Sequence, residues 1–462
     1  MSFIAIDLGT TFIKGAVLDL DGLRLHNIQR LPFPDALSNL PPLFYEVDPG
    51  AVVAVVRQLI TDLLSHAPAP EGIVFCTQMH GLVLCTDQGE PRSNLITWQD
   101  QRALLPHPAG DGSYLERLLG QISPAECRQL GNELQPSRPL CFLYWLAETG
   151  QLPPTSVMPV GLPDFVIANL CNAQPSMELT GAAAHSALNL ETLDWHHAVI
   201  ARLGLAQLQW PTIRPFGDVV GTLTIAGKRL PCYTPVGDHQ CALVGSFLGA
   251  GELSLNISTG SQVSLLTEQL TLGDYQTRPF FDNRFLNTVT GVPAGRALNH
   301  LVNLLTEVAH AQGVTLADPW SYLAEATAQV EETDLAVNLA FFDSASGRQG
   351  GISNIREANL TAGHLFRAAF QNMADNYRAS ALRLSPQQAW RRLVFSGGLA
   401  QKMAVLRTII QRQFSVEERL CATTEDALLG LLALALVASG RMSSVQAAIT
   451  ELAQHYSTTD SA

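Results

Sequence analysis

Two polar turns constrain the fold of this 462-residue chain most strongly, because each lies between two apolar runs of strand length. The first turn occupies residues 7–11, between the apolar runs 3–6 and 13–18. The second contains the sequence STGS at residues 258–261, inside the segment LSLNISTGSQVSLL. Glycine and hydroxyl residues between such runs are typical of β-hairpins. The chain is therefore predicted to contain two hairpins of the same kind, one near its start and one in its second half.

The recurrence of this hairpin predicts two halves that begin alike. A chain of this length also exceeds what one ordinary hydrophobic core holds together. We place the boundary between residues 245 and 246, so that the predicted domains are 1–245 and 246–462.

Helical and strand-like segments alternate in both halves. Residues 51–65 have the helical period, and residues 72–86 have strand character with a polar interruption at 77–81. In the second half, residues 392–398 are a predicted strand that ends in a glycine pair. Helices are predicted there at residues 294–308, 364–380 and 399–414. The alternation predicts an α/β fold.

The composition excludes several classes of protein. The net charge of −13 argues against nucleic acid or an anionic membrane as the main partner, since both bind clustered basic surfaces. The longest apolar run, residues 427–439, is shorter than the about 20 residues that span a bilayer, and it predicts a buried helix. Asp7 interrupts the first apolar run, unlike the core of a signal peptide. The eight cysteines form no CxxC pair, which favours reduced thiols in a cytoplasmic enzyme.

The two polar turns have the chemistry of a phosphate site. Glycine permits close approach of the backbone, so that neighbouring amides can converge on a phosphate beside the hydroxyls of Thr10 and Thr11. Lys14 adds a positive charge, and Asp7 at the strand end suits a hydrated Mg²⁺. An ordinary turn with a capping aspartate is the alternative for the first hairpin taken alone. The pattern GxxxxGK[ST] is absent, so the chain is not a P-loop enzyme.

Asp238 stands between Gly237 and His239, where a helix is predicted to begin. An aspartate at this place is often the N-cap of the helix. It can also be a general base that accepts the proton of an attacking hydroxyl, as in many phosphoryl transfers. The spacing alone leaves both interpretations open.

Two further polar clusters are candidates for contacts with a small ligand. Gln78, Met79 and His80 interrupt a strand, where a histidine is more often structural than a ligand contact. Trp98 suits either the core or a flat apolar wall for a sugar, with Asp100 as a partner for hydroxyls.

Nine motifs, in order over nearly the whole chain, resemble the FGGY family of carbohydrate kinases. They are IAIDLGTTFIKGAVLD at Ile4, TQMHG at Thr77, TWQDQR at Thr97, GLPDFV at Gly161, GDHQ at Gly237, NISTGS at Asn256, AGRALNHLV at Ala294, HLFRAAFQ at His364 and FSGGLAQKM at Phe395. The combination of QMHG, TWQD and NIST is most similar to the sedoheptulokinase branch of the family, and xylulokinase-like enzymes come next.

The resemblance implies a fold and a reaction. The fold is α/β, with two duplicated ribonuclease-H-like domains of the actin-like ATPase type that close over an interdomain cleft. The implied activity is ATP-dependent phosphorylation of a ketose or polyol, with Mg²⁺, and the preferred substrate is sedoheptulose, phosphorylated to sedoheptulose 7-phosphate. The alternatives are xylulose, ribulose or a tetritol as substrate, a catalytically silent sugar and nucleotide sensor, and an actin-like or chaperone ATPase. The resemblance is also compatible with a homodimer.

The resemblance assigns roles to individual residues. Asp238 matches the catalytic base, and Asp7 would lie beside Mg²⁺. The sugar pocket would contain Gln78, Met79, His80, Trp98 and Asp100, together with Asp238. The residues that would face ATP are Thr10, Thr11, Lys14, Thr259, Gly260, Gly295, Asn299, Gly398 and Lys402.

Three positions depart from the family's pattern. Phe142 stands where many members have a lysine, although sedoheptulokinase-like sequences also lack it. His239 follows the predicted base where many relatives have glutamine, and Leu179 stands where an aspartate is usual. The last two departures concern the sugar side, so the identity of the sugar is the least constrained part of the prediction.

Overall fold

The computed structural model describes residues 1–67, 69–110 and 112–459. The chain divides into two compact units. The first unit contains Met1–Phe247, Glu268–Phe285 and Glu425–Ala462, and the second contains Leu248–Thr267 and Leu286–Thr424.

The strands are, in chain order, β1 (Ser2–Leu8), β2 (Phe12–Asp19), β3 (Arg24–Pro32), β4 (Glu46–Val47), β5 (Pro70–Thr77), β6 (Val83–Cys85), β7 (Leu95–Ile96), β8 (Met158–Val160), β9 (Ser176–Glu178), β10 (Leu188–Asn189), β11 (Asp194–Trp195), β12 (Thr212–Arg214), β13 (Val219–Ile225), β14 (Lys228–Tyr233), β15 (Val236–Gly237), β16 (Glu252–Ile257), β17 (Ser261–Thr267), β18 (Gln276–Pro279), β19 (Phe285–Val292), β20 (Ala336–Asn338), β21 (Gly351–Ser353), β22 (Arg392–Ser396) and β23 (Glu417–Leu420).

The helices are α1 (Pro49–Leu64), α2 (Tyr114–Leu119), α3 (Pro124–Gln129), α4 (Pro139–Glu148), α5 (Leu162–Cys171), α6 (Leu179–Ala184), α7 (His197–Arg202), α8 (Asp238–Gly245), α9 (Gly295–Ala311), α10 (Pro319–Ala328), α11 (Ala362–Leu384), α12 (Gly398–Lys402), α13 (Ala404–Phe414), α14 (Asp426–Ala438) and α15 (Val445–Thr459).

The main sheet of the first unit has the strand order β13-β14-β5-β1-β2-β3, and β15 also pairs with β5. β1 pairs antiparallel with β2 and parallel with β5. Ile4, Ile6 and Leu8 of β1 are fully buried and belong to the same core as α1. The first predicted hairpin is therefore confirmed, and its register places Asp7 opposite Lys14.

The main sheet of the second unit repeats this arrangement. Within this unit the strands follow the order β19-β17-β16-β22-β23. β16 pairs antiparallel with β17 and parallel with β22, as β1 does with β2 and β5. The second predicted hairpin is confirmed, and so is the expectation that the two halves begin alike.

The C-terminal segment does not belong to the domain in which the sequence analysis placed it. α14 is apolar on nearly all sides, and it packs against α8, β1 and β5 of the first unit. Residues from Glu425 onward therefore belong to the first compact unit, not to one unit of residues 246–462. The physical reason is that a helix with so little polar surface must be covered on every side. The buried helix predicted at residues 427–439 is confirmed.

α8 and α14 approach each other at two glycines. A Cβ atom on Gly430 would lie 2.0 Å from the Cys241 carbonyl oxygen, and one on Gly245 would lie 1.8 Å from the Asp426 carbonyl oxygen. No side chain fits at these distances, so glycine is required at both positions.

We expect Gly430→Ala to destabilise the protein, because the methyl group forces the two helices apart. The expected loss of unfolding free energy is about 1–3 kcal/mol, the usual cost of overpacking, measured by chemical denaturation. Gly120→Ala is the matched control, since a Cβ at Gly120 has no neighbour closer than 3.5 Å. Equal stability of Gly430→Ala and the wild type would contradict this packing.

Among the described residues, no helix combines the length and the apolar composition that crossing a membrane requires.

Candidate active site

The candidate residues lie in both units. The first unit contains Asp7, Thr10, Thr11, Lys14, Gln78, Met79, His80, Trp98, Asp100 and Asp238. The second contains Thr259, Gly260, Gly295, Asn299, Gly398 and Lys402.

Asp238 is the first residue of α8 and does not cap it. The N-cap is Gly237, and no side chain makes a capping hydrogen bond there. Asp238 is half-buried, whereas Gly237 and His239 on either side of it are buried. The N-cap interpretation is therefore wrong, and the carboxylate is available for another role.

The surroundings of Asp238 favour its protonated form. Burial raises the pKa of its carboxyl to about 7, and the negative charges of Asp7 and Asp426 act in the same direction. Arg278 and the His239 backbone amide oppose this shift of the pKa. A carboxylate that takes up a proton near neutral pH is suited to general-base catalysis.

A short chain of hydrogen bonds supports the backbone in front of Asp238. The Gly237 amide donates to the Thr180 hydroxyl at 2.9 Å, and that hydroxyl donates to the Glu178 carboxylate. The Thr180 amide donates to the same carboxylate oxygen at 2.7 Å. The sequence analysis missed this chain, because Thr180 and Gly237 are distant in sequence and only the fold brings them together.

Asp7 lies at the end of β1 and is 6% exposed. Its Oδ1 accepts a hydrogen bond from the Cys76 thiol at 3.5 Å. Burial raises the pKa of Asp7 to about 6, while Lys14 and Cys76 oppose the shift. Burial thus disfavours the charged form of this carboxylate, and the Cys76 thiol and Lys14 compensate only in part.

Lys14 forms an ion pair with Glu425, the N-cap residue of α14. Its Nζ lies 2.9 Å from Glu425 Oε2, and Arg30 also pairs with Glu425. Burial raises the pKa of the neighbouring Asp426 to about 6, and Asp7 acts in the same direction. Glu425 and Asp426 were not among the predicted residues, since nothing in the sequence connects them with the first hairpin.

The carboxylates near Asp7 fit a hydrated Mg²⁺ better than a fully enclosed ion. In the part of the chain that the structure describes, no three His, Cys, Asp or Glu residues are grouped as a metal site. Mg²⁺ usually keeps several waters and is held through one or two carboxylates together with substrate phosphates. Asp7 is buried, and its negative charge contributes to raising the pKa of the nearby Asp426. These two carboxylates are compatible with this mode of Mg²⁺ binding.

The Thr10 hydroxyl connects two predicted parts of the sugar pocket. It donates to Gln78 Oε1 at 3.2 Å and accepts from Trp98 Nε1 at 3.0 Å. Trp98 is 41% exposed, so it is not a core residue. Thr10, which was predicted to face ATP, therefore contacts two residues that were predicted for the sugar pocket, while Thr11 is exposed.

His80 is a neutral hydrogen-bonding residue. Burial lowers its pKa well below the ordinary value, and the nearby Arg138 and Arg278 act in the same direction. Its Nδ1 lies 2.9 Å from the Ala184 carbonyl oxygen, so Nδ1 carries the proton and Nε2 is an acceptor. Its φ of 71° is unusual for a residue other than glycine.

Asp100 does not have the expected role in this structure. It is 0% exposed, and its two carboxylate oxygens accept from the Tyr45 amide and from Arg102. A carboxylate that is buried and already paired on both oxygens cannot also contact a sugar. We correct the prediction accordingly: Asp100 orients the loop that carries Trp98.

In the second unit, three segments meet at the turn between β16 and β17. The Gly295 amide donates to the Ser258 carbonyl oxygen at 3.0 Å, and the Gly398 amide lies 3.2 Å from Ser258 Oγ. A Cβ on Gly295 would lie 2.6 Å from the Ser258 carbonyl oxygen. Thr259 and Gly260 at the tip of the turn are exposed. The structure thus places Gly295 and Gly398, which the resemblance assigned to the nucleotide pocket, beside the turn whose Thr259 and Gly260 it assigned to the phosphates.

The two remaining candidates of the second unit, Asn299 and Lys402, are exposed. Asn299 is exposed on the first turns of α9, and Lys402 is exposed at the end of α12. Hydrogen bonds from Ser321 lower the pKa of the Asp318 carboxyl, and the positive charge of Lys402 acts in the same direction. Both side chains are open to a ligand.

Comparisons with known proteins establish the family. The model of the N-terminal domain of the FGGY family of carbohydrate kinases matches residues 2–245, more than half of the 462 residues. The chain belongs to the FGGY family of carbohydrate kinases. It is therefore a phosphotransferase that acts on a small-molecule carbohydrate. Members of this family use ATP, typically with Mg²⁺.

Curated relatives of the chain include kinases with several substrates. Human sedoheptulokinase is 25% identical over 469 residues, covering 89% of this chain and 92% of the human protein. Xylulose kinase of Staphylococcus epidermidis is 23% identical over 359 residues, covering 75% of this chain and 65% of that protein.

Solved structures of FGGY kinases share the fold. Ligand-bound xylulose kinase from Lactobacillus acidophilus aligns with a TM-score of 0.83 and 18% identity, over 98% of this chain and 92% of that chain. Plasmodium falciparum glycerol kinase with ADP aligns with a TM-score of 0.82 and 17% identity, over the same shares. The predicted α/β fold with two ribonuclease-H-like, actin-like ATPase domains is confirmed.

Proposed function

We propose that this FGGY kinase phosphorylates a ketose, with sedoheptulose as the substrate and sedoheptulose 7-phosphate as the product. The observation that carries the proposed mechanism is the place of Asp238 at the start of α8, where its half-buried carboxylate does not cap the helix. Burial also raises the pKa of this carboxyl to about 7. The observation that supports the substrate is the similarity to human sedoheptulokinase over 89% of this chain.

In the proposed reaction, Asp238 accepts the proton of the terminal hydroxyl of the sugar. The hydroxyl oxygen then attacks the γ-phosphorus of ATP, the bond from that phosphorus to the bridging oxygen breaks, and ADP leaves. A base with a pKa near 7 is about half ionised at neutral pH, and its ionised form binds the proton well enough to help the step.

The sugar would lie against the polar cluster of the first unit. Trp98 offers an exposed aromatic face, and Thr10 holds both Trp98 and Gln78 in place. The Nε2 atom of His80 is an acceptor for a sugar hydroxyl, because its Nδ1 proton is donated to Ala184. These groups recognise hydroxyls and CH faces, which a polyhydroxylated, uncharged substrate provides.

Each unit contains candidates for contacts with ATP. Lys14 and the hydroxyls of Thr10 and Thr11 are the candidates in the first unit, and the turn at Thr259 and Gly260 is the candidate in the second. Asp7 would hold Mg²⁺, which supplies positive charge to the phosphates when it is bound. The exposed Asn299 and Lys402 and the glycines 295 and 398 complete the proposed nucleotide contacts.

A sugar panel tests the proposed substrate. ADP formation is measured with ATP and Mg²⁺ against sedoheptulose, xylulose, ribulose, erythritol and glycerol, and kcat/KM is compared. We expect sedoheptulose to give the highest kcat/KM. The reason is that the similarity to human sedoheptulokinase covers 89% of this chain, whereas the similarity to the xylulose kinase of Staphylococcus epidermidis covers 75%. The product should carry its phosphate on the terminal hydroxyl, which phosphorus and carbon NMR of the product detect.

The panel separates the proposed substrate from the alternatives. A kcat/KM for xylulose, ribulose or a polyol that exceeds that for sedoheptulose by about tenfold, equivalent to about 1.4 kcal/mol of transition-state binding, would overturn the substrate and leave the kinase class in place. Phosphorylation at another carbon of sedoheptulose would overturn the proposed product.

A further inference from the structure

A buried arginine connects the two chain segments that form the sugar side of the proposed site. Arg278 in β18 is 4% exposed. Its Nη1 lies 2.8 Å from His239 Nδ1 and 3.8 Å from Met79 Sδ. His239 directly follows the proposed base, and Met79 lies between Gln78 and His80. One guanidinium therefore contacts both the helix start that carries the base and the strand end that faces the sugar.

Glu133 fixes the position of this guanidinium. Arg278 Nε donates to Glu133 Oε1 at 2.6 Å, and both side chains are buried. Gln276 Nε2 donates to the other oxygen of Glu133 at 3.2 Å, and Arg138 Nε lies 3.4 Å from it. The positive charges of Arg278 and Arg138 hold the pKa of Glu133 below its ordinary value despite its burial.

Further hydrogen bonds join the segment around Glu133 to the segment around Arg278. The Thr277 amide donates to the Gly131 carbonyl oxygen at 3.1 Å, and Asn132 Nδ2 donates to the carbonyl oxygens of Gly273 and Tyr275 at 2.9 and 2.7 Å. Arg278 is thus attached to a rigid support and has little freedom to adopt another rotamer.

The contact with Arg278 determines the form of His239. Because a guanidinium only donates, His239 Nδ1 must be the acceptor, and the proton of the neutral ring lies on Nε2. Burial lowers the pKa of His239 to about 3, and the charge of Arg278 acts in the same direction, so the ring stays neutral. His80, on the other segment, is fixed in the opposite form by Ala184, with the proton on Nδ1.

We propose that Arg278, held by Glu133, is a positioning residue for sugar binding, which acts by fixing the tautomer of His239 and the place of Met79. The proposal rests on the proposed function of the site. It predicts that sugar binding requires the two separate donor groups of the Arg278 guanidinium, Nε toward Glu133 and Nη1 toward His239, and not only its positive charge. A lysine has one donor group at the end of a flexible chain, so it cannot bond Glu133 and His239 in the same arrangement.

Kinetics of two variants test this role. We expect Arg278→Met to raise the KM of the sugar by about 10- to 100-fold, since a buried hydrogen-bond acceptor loses its donor, while the KM of ATP changes less than about twofold. Arg278→Lys should recover only part of the loss. Arg284→Met is the matched control, because Arg284 is equally buried, lies six residues away, and contacts Gln446 and Asp282 instead.

The tautomer of His239 gives a readout that does not depend on turnover. Nitrogen NMR of histidine-labelled protein distinguishes the two neutral tautomers, and the signal that His239→Gln removes identifies His239. We expect the Nε2-protonated form in the wild type and in Arg284→Met, and a mixture in Arg278→Met. This measurement tests the role of Arg278 even if no sugar of the panel is phosphorylated. Such a lack of phosphorylation would refute the proposed function and not the role of Arg278.

Two results would overturn the proposal. One is an unchanged His239 tautomer in folded Arg278→Met protein. The other is equal increases of the sugar KM in Arg278→Met and Arg284→Met, which would show a general packing effect. Should Arg278→Met fail to fold, the Arg278→Lys variant provides both measurements, and a wild-type tautomer together with a wild-type sugar KM in that variant would contradict the requirement for arginine.

Discussion

Asp238→Asn is expected to lower kcat by about 10²- to 10⁴-fold, the usual contribution of a positioned general base. The substitution keeps the size of the side chain and removes its ability to accept the proton. The half-buried position at the start of α8 and the raised pKa of about 7 are the physical basis of this expectation. Steady-state kinetics with the best sugar of the panel measure the loss, and nucleotide binding should persist, as calorimetry with ADP can show.

The pH dependence of the wild type provides a second readout of the same group. A base must be ionised to act, so kcat/KM should rise with pH through a pKa near 7, the value to which burial raises the Asp238 carboxyl. Asp238→Asn should lack this acidic limb, whereas Asp62→Asn, a change at a half-buried position of α1, should keep both the limb and the rate. Undiminished turnover in Asp238→Asn would refute the assignment of the base.

Asp7→Asn is expected to give the second large effect. We expect the Mg²⁺ concentration needed for half-maximal activity to rise, and kcat at saturating Mg²⁺ to fall by about 10²-fold or more, in line with the loss of one preorganised electrostatic group. A titration of activity with Mg²⁺ at fixed ATP measures both changes. Asp19→Asn, at the other end of the same hairpin, is the matched control.

The thermal stability of Asp7→Asn distinguishes a lost metal contact from a damaged fold. Burial raises the pKa of Asp7 from 3.8 to about 6, so the folded protein binds this proton more tightly than the unfolded chain does. The ionised carboxylate therefore lowers stability above pH 6, and this cost disappears below about pH 4. The variant should thus have a higher Tm than the wild type at pH 7.5, and a lower Tm there would contradict the account of Asp7.

Much of the fold could be predicted from the sequence, because local patterns determine it. The hairpins at Asp7 and at Thr259 combine strand residues with turn residues, and both form as predicted. The helix at 51–65 appears as Pro49–Leu64. The helix predicted at 399–414 is interrupted at Met403, where the backbone leaves the helical conformation.

The parts of the site that could not be predicted depend on contacts between distant segments. Glu425 pairs with Lys14 across 411 positions of the chain, and Arg278 pairs with Glu133 across 145. Aspartate is a residue type that often contacts sugar hydroxyls, which is why Asp100 was predicted. The sequence around it gives no sign that the Tyr45 amide and Arg102 already donate hydrogen bonds to both of its carboxylate oxygens. The type of a residue indicates what it can bind, and only the folded chain determines whether its atoms are available.

The most direct test of the central claim is ADP formation by the wild type with ATP and Mg²⁺, measured with sedoheptulose and without any sugar. The account predicts that the sugar increases the rate by about 10²-fold or more, the lower range for a positioned base, and that Asp238→Asn abolishes the increase. Equal ADP formation with every sugar of the panel and without sugar would contradict the account and favour an ATPase whose activity does not depend on a sugar.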